Sequence, residues 1–346
     1  MENNVFEILK ETFENPKIWN YYSGKNFKNF PLVSEQESKN FINEFIKLSG
    51  KSESEFNNLI QELGDRTVHV VSAFFIGHYI YQNTNLKSKI DREITKIKKD
   101  LNINSEVNFS FMWFLTCLFH DIGYKLEEQQ PPKYENFEQL LNENSGAMPE
   151  ICGIPKFYNT IYKNYFNFRL KEHCKNDHGI TIAHIMYHKL CNIRKVAEKN
   201  PKEHQINLNW EKDLEKIFAF CSWNVLAHNI WFAEKGKTCD VRKYKVFEME
   251  ILIFDEKYKI NPNEFPFFFL FCLVDTIEPY KKVLDLEMLK KIDLEFFEDK
   301  IIITDNFSCN CGKAILKQAK DLNKWLTYTN NETENKIMIS LNQKPI

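Results

Sequence analysis

Residues 118–124 read LFHDIGY, the end of an apolar run that opens with FMWF at 111–114. The spacing of apolar residues over 107–121 predicts a helix, and His120 and Asp121 stand at its end. Burying an unpaired carboxylate is costly, and a buried imidazole needs hydrogen-bond partners. The pair therefore directs attention to other polar side chains set in apolar helices.

There are several. His69 lies in RTVHVVSAFF (66–75), His178 near the start of DHGITIAHIM (177–186), and His228 in FCSWNVLAHNIW (220–231). Asp275 follows FFFLFCLV (267–274). Taken singly, each is ordinarily a satisfied core residue or a helix cap. As an ordered set, they put a His or Asp on each of five apolar helices. One metal ion can satisfy all of them, since imidazole and carboxylate suit Zn, Mn, Fe, Co or Ni and helices in a bundle can converge ligands on one point. His184 and His188 share a helix face but lack the glutamate of H-E-x-x-H, and they read as structural. His78, His173 and His204 have no motif support.

The rest of the chain sets bounds. It has 346 residues, 43% hydrophobic, with 30 Phe, enough for a large core. A formal net charge of −2 gives no basic field, so general nucleic-acid binding is not expected. Only 10 Gly and 11 Pro favour long helices over a many-turned β fold. Nine cysteines, without C-x-x-C, read as reduced thiols. MENNVFEILKETF lacks the apolar core of a signal peptide, and FPFFFLFCLV is too short to span a membrane. A cytoplasmic protein without membrane association is expected. Walker, dinucleotide-binding and G-x-S-x-G motifs are absent.

The fold expected is mainly α, a helical bundle with a small C-terminal α+β tail. Helices are expected over 35–48, 53–63, 66–83, 86–100, 107–121, 135–143, 155–168, 179–199, 211–233, 264–281 and 313–326. Ser34 with Glu37 and Ser52 with Glu55 fit capping boxes for the first two. Strands are expected at 246–254, 301–305 and 335–341. Residues 125–153 read as a long loop holding a short helix, suited to a lid. This divides the chain into an N-terminal helical extension (1–60), a metal-binding helical domain (61–285) and a small α+β segment (286–346).

The order His69, His120-Asp121, Asp275 resembles the HD superfamily of metal-dependent phosphohydrolases, named for its His-Asp pair. Residues 120–123 read HDIG, R-x-x-H stands at 66–69, and an apolar run leads to Asp275, so the likeness spans residues 60 to 285. The resemblance implies a helical HD-domain fold in which His69, His120, Asp121 and Asp275 hold a divalent ion. Some members, including phosphodiesterases of cyclic dinucleotides, hold a second ion with histidines lying between the HD pair and the last Asp. His178 and His228 fall there, with Asp121 then bridging. One or two divalent ions are implied, from among Zn, Mn, Fe, Co, Ni and Mg. This chain departs from the HD-GYP pattern, reading Ala227-His228-Asn229 where those members have adjacent histidines, and Tyr124 precedes Lys125 where Lys commonly follows HDIG.

The implied activity is hydrolysis of a phosphate ester in a nucleotide-like substrate by a metal-activated water, phosphodiester cleavage being favoured over phosphomonoester. A bound divalent ion lowers the pKa of coordinated water toward about 7. Besides Asp121, the catalytic candidates are Arg66, on the helix face of His69, and Lys125, just beyond the HD pair; both are placed to bind substrate phosphate. A salt bridge for Arg66 and a plain surface role for Lys125 are the competing readings. Asn229 is a candidate to orient a ligand, and Glu278 to support the metal from behind. Lys281 and Lys282 read as a solvated face. The alternative function is a catalytically silent HD-fold nucleotide-binding sensor or partner-binding module. Either form is compatible with a homo-oligomer.

Overall fold

A computed structural model describes residues 4–15, 17–18, 30–32, 34–48, 61, 66–199, 211–233, 238–253, 258–279, 286–306, 310–322, 326–327, 330–333 and 335–341. Backbone packing divides the chain into two compact units, each drawn from separate stretches. The first comprises Met1–Phe45, Gly64–Ile94 and Ile260–Ile346; the second comprises Ile46–Leu63 and Thr95–Lys259. The fold is mainly helical with a small C-terminal α+β element, as the composition and periodicity imply.

In the first unit, helix α1 (Val5–Glu14) is capped by Asn4, whose side chain accepts from the Glu7 N–H at 3.0 Å. It packs on α3 (Thr67–Asn83). Helix α2 (Glu35–Leu48) is capped by Ser34, whose Oγ accepts from the Glu37 N–H at 3.2 Å, the first half of the expected capping box. Helix α4 (Leu86–Asp100) follows α3 closely and has the expected span, its residues from Thr95 onward belonging to the second unit. Helix α12 (Pro266–Ile277) starts on a proline, which fits a first turn because that N–H has no helical partner. It buries an almost continuous run of Phe, Leu and Val, packing on α3 and on α14 (Asn310–Asp321), which follows the single turn α13 (Leu286–Leu289). Helix α14 lies against a four-stranded antiparallel sheet ordered β1 (Ile292–Phe296), β2 (Lys300–Asp305), β4 (Lys336–Ser340), β3 (Asn330–Thr333). The register pairs Leu294 with Ile303, Ile301 with Ile339 and Ile303 with Ile337, aligning these apolar side chains on one face.

The second unit is built on α5 (Phe109–His120), in which every residue except Ser110 is buried. Such a helix, apolar all round, must be central. Asn108 caps it, accepting from the Phe111 N–H at 3.0 Å. Helices α9 (His178–Lys199) and α10 (Leu214–Ala227) pack on each other and on α5. Around them stand the single turn α6 (Tyr124–Glu127), α7 (Phe137–Glu143), α8 (Tyr158–His173) and α11 (Thr238–Val246). Helix α8 ends where Cys174 takes a left-handed conformation (φ 52°), and four residues later α9 begins at His178.

The structure corrects several expectations. No strand forms over 246–253: Val246 ends α11, Glu248 has φ 55°, and Glu250–Leu252 is a 3-10 turn. The partial alternation there serves a turn that buries Met249 and Leu252, leaving one parallel bridge between Ala233 and Ile253. Strands β1 and β3 were not anticipated, because β1 (IDLEF) carries two acids and β3 (NNET) is four polar residues with no apolar alternation. Helix α12 stops at Ile277 because Glu278 is extended. The expected lid is held down: Asn176 accepts from the Tyr134 N–H and donates to its carbonyl, both at 2.8 Å, and Tyr134 is buried. The expected helix at 53–63, apart from Gln61, lies outside the described residues, as do His204, Lys281 and Lys282.

Two core histidines make acid stability testable. Burial lowers His78 in α3 from 6.5 to about 3, and burial with the nearby Lys163 charge lowers His184 in α9 to about 4. Below pH 6.5 the unfolded chain binds protons that the folded chain refuses, so the stabilisation is complete above that pH and is lost as pH falls toward 4. By pH 4 the loss is on the order of 3 kcal/mol for each ring. Denaturant titrations from pH 7 to 4 should show this fall, and His184→Leu should flatten it; an unchanged slope in that variant refutes the assignment.

Candidate metal centre

Helix α5 ends at His120, and its last carbonyls have no helical partners. His120 turns its ring back so that Nδ1–H donates to the Cys117 carbonyl at 2.6 Å. His228, the residue after α10, does the same, with Nδ1–H donating to the Val225 carbonyl at 2.5 Å. A carbonyl only accepts, so Nδ1 carries the proton in each neutral ring and Nε2 presents a lone pair.

His178 reaches the same tautomer by another route. Asp177 caps α9, its Oδ1 accepting from the Ile180 N–H at 3.0 Å, which places His178 in the first turn. Its Nδ1–H donates to Glu127 Oε2 at 2.5 Å. Burial pushes the Glu127 carboxyl up, but the hydrogen bond from His178 and the charges of Arg169 and Lys175 outweigh this and hold it below the usual carboxylate range. The Glu127 carboxylate is therefore ionised and accepts. Arg169 on α8 donates to its other oxygen and lies 3.7 Å from Asp177. Burial raises the Asp177 carboxyl, with the Arg169 charge acting against it. The Tyr124 ring stacks on the His178 ring at 3.9 Å.

These supports bring His178 Nε2 within 3.3 Å of His228 Nε2. Asp121, the C-cap of α5, has a carboxylate oxygen 3.4 Å from His120 Nε2. One ligand atom each from Asp121, His178 and His228 lie within 4.8 Å of one another, all three residues being buried. Two imidazole lone pairs and a carboxylate facing one another in a dry interior repel unless a cation joins them. Nitrogens held by one tetrahedral ion at about 2.1 Å stand roughly 3.4 Å apart, so the spacing suits a metal. The donor set fits a divalent ion of the borderline kind.

Two glycines permit this approach. A Cβ on Gly123 would stand 2.5 Å from the His178 carbonyl oxygen, and one on Gly179 would meet the Val225 oxygen at 3.0 Å and His228 Cε1 at 3.2 Å. The glycine of HDIG thus keeps α6 pressed against the start of α9.

His69 and Asp275 belong to the first unit. His69 is the third residue of α3, in its first turn, where Nδ1 bonds Glu278, which is fully buried, and Nε2 stands 3.5 Å from Asp275 Oδ1. Glu278 therefore orients His69, as a residue placed behind a ligand does. Arg66 occupies the N-cap position of α3, half-buried. Lys125 is exposed and donates to the Gln61 carbonyl at 3.1 Å. Asn229 braces Asp177 at 2.7 Å and accepts from Trp231 Nε1 at 3.1 Å. His184 sits among Phe137 and Tyr162, His188 meets Asn192, and His173 lies on the exposed end of α8; none of the three joins the donor group.

Sequence reasoning missed Glu127, Arg169 and Asp177. Glu127 was hidden beside Glu128, where only packing distinguishes the two; Asp177, one residue before a helical run, carried a readable cap signal. Comparison with protein-family models, curated proteins and solved structures gave no match.

Two substitutions test this construction. Glu127→Gln should weaken divalent-metal affinity about 10- to 100-fold, read by competition with a chromophoric chelator; unchanged affinity excludes the supporting role. Gly123→Ala should cost about 1–3 kcal/mol in denaturant unfolding, whereas a neutral effect would show that the contact relaxes freely.

Proposed function

We propose that this chain is an HD-type, metal-dependent phosphohydrolase acting on a phosphate ester of a nucleotide-like substrate. The observation that carries the reading is the buried group of Asp121, His178 and His228, with each imidazole Nδ1 committed to a fixed oxygen. The HD resemblance adds an assignment of His69, His120, Asp121 and Asp275 to one ion and of Asp121, His178 and His228 to a second. A divalent cation held there would supply acidified water and offset phosphate charge.

The chain's own residues do the rest. Glu127 and the Val225 carbonyl keep the His178 and His228 rings in one tautomer and one orientation, so no reorganisation is needed when charge develops. Burial of the donors excludes bulk water and strengthens every charge interaction there. Lys125 and Arg66 are the cations assigned to the substrate phosphate. In the reaction the water oxygen bonds to phosphorus, the ester P–O bond breaks, and the leaving oxygen takes up a proton.

Purified chain assayed with bis(p-nitrophenyl) phosphate should turn over when supplied with Mn, Zn, Co, Ni, Fe or Mg, and EDTA should abolish the activity. Asp121→Ala should lose at least about a hundredfold in kcat while keeping its helical circular dichroism. Absence of turnover with every ion would overturn the enzymatic reading and leave the silent sensor.

A further inference from the structure

The second unit also contains a cleft of about 330 Å³ that none of the donor residues lines. Its floor is apolar, formed by Ile122, Leu126, Tyr134, Ile182 and Ile185. Three lysines stand around it, Lys125, Lys133 and Lys189, against one carboxylate, Glu143. The size is at the small end of the range for small-molecule sites, about 300–1,000 Å³.

The charges are available to a ligand. Lys133 is 3.9 Å from Glu143, a loose and exposed pair worth little in water. Lys125 gives one of its three donors to the Gln61 carbonyl. Lys189 makes no ion pair among the described residues and is half-buried on α9. The floor is preformed, because Asn176 pins the Tyr134 backbone from both sides.

The cleft is aligned with the donor group along one helix. At about 100° per residue, His178, Ile182, Ile185 and Lys189 share one face of α9, and Lys189 lies roughly 16 Å along the axis from His178. Ile122 and Lys125 likewise continue the segment that carries Asp121.

We infer that this cleft binds an amphipathic organic phosphate, its apolar body on Ile182, Ile185 and Tyr134 and its phosphate between Lys133 and Lys189. Separate ammonium groups on flexible stems suit a doubly charged group with several oxygens better than a planar carboxylate. The site goes beyond the metal-dependent reading and stands without it, since the metal-donor residues are not part of its lining.

The test is calorimetric titration of the full chain with AMP, adenosine and inorganic phosphate, in excess EDTA. AMP should bind at least about tenfold more tightly than either fragment. Lys133→Gln and Lys189→Gln should each weaken AMP about tenfold, and about 0.5 M sodium chloride should weaken it further. Melting temperatures of both variants should match the parent, because these side chains lie at the rim. An AMP affinity unaltered by both substitutions, equal to that of adenosine or phosphate, or undetectable overturns the site. Failure of the hydrolysis assay alone leaves it standing, because these titrations contain no free divalent metal.

Discussion

An imidazole becomes a metal donor when its other nitrogen has a fixed acceptor. In the second unit this constraint is met three times: His120 and His228 use carbonyls left open at helix ends, and His178 uses an ionised glutamate. In the first unit His69 meets it with Glu278. The helix ends are thus sources of hydrogen-bond acceptors as well as points of chain reversal. Without these acceptors the rings would be free to exchange tautomers, and a cluster of lone pairs would not hold together.

The same constraint explains residues that contribute no donor atom. Arg169 balances Glu127 and Asp177, two buried carboxylates that would otherwise repel or take up protons. Asp177 caps α9 and receives Asn229, so one side chain fixes where His178 emerges and how the following loop is held. Tyr124 has a physical use as a cover over the His178 ring. The two glycines leave room for backbones to meet at the point where the donors do.

Much of the fold could be read in the chain. Long apolar helices showed their period, and ends were marked by Ser34 and by the His120-Asp121 pair, whereas the stop at Ile277 was overrun. The small sheet was only partly legible: IIITD and NKIMISL carried β-branched runs, while IDLEF and NNET are too polar to separate from loop. The alternation at 246–253 misled because a turn can bury two apolar residues as readily as a strand can.

By itself the sequence determined the helical class and nominated the donors, since a hydrated side chain in an apolar run is a local, one-dimensional signal. Which nitrogen of each histidine faces its neighbours depended on tertiary structure, because the acceptor is three residues back in two cases and 51 residues away in a third. The choice of Glu127 over Glu128 was decided there too, as only one carboxylate can be buried against Arg169 and His178. Partners far apart in the chain leave no mark on local composition, so only their packing could reveal them.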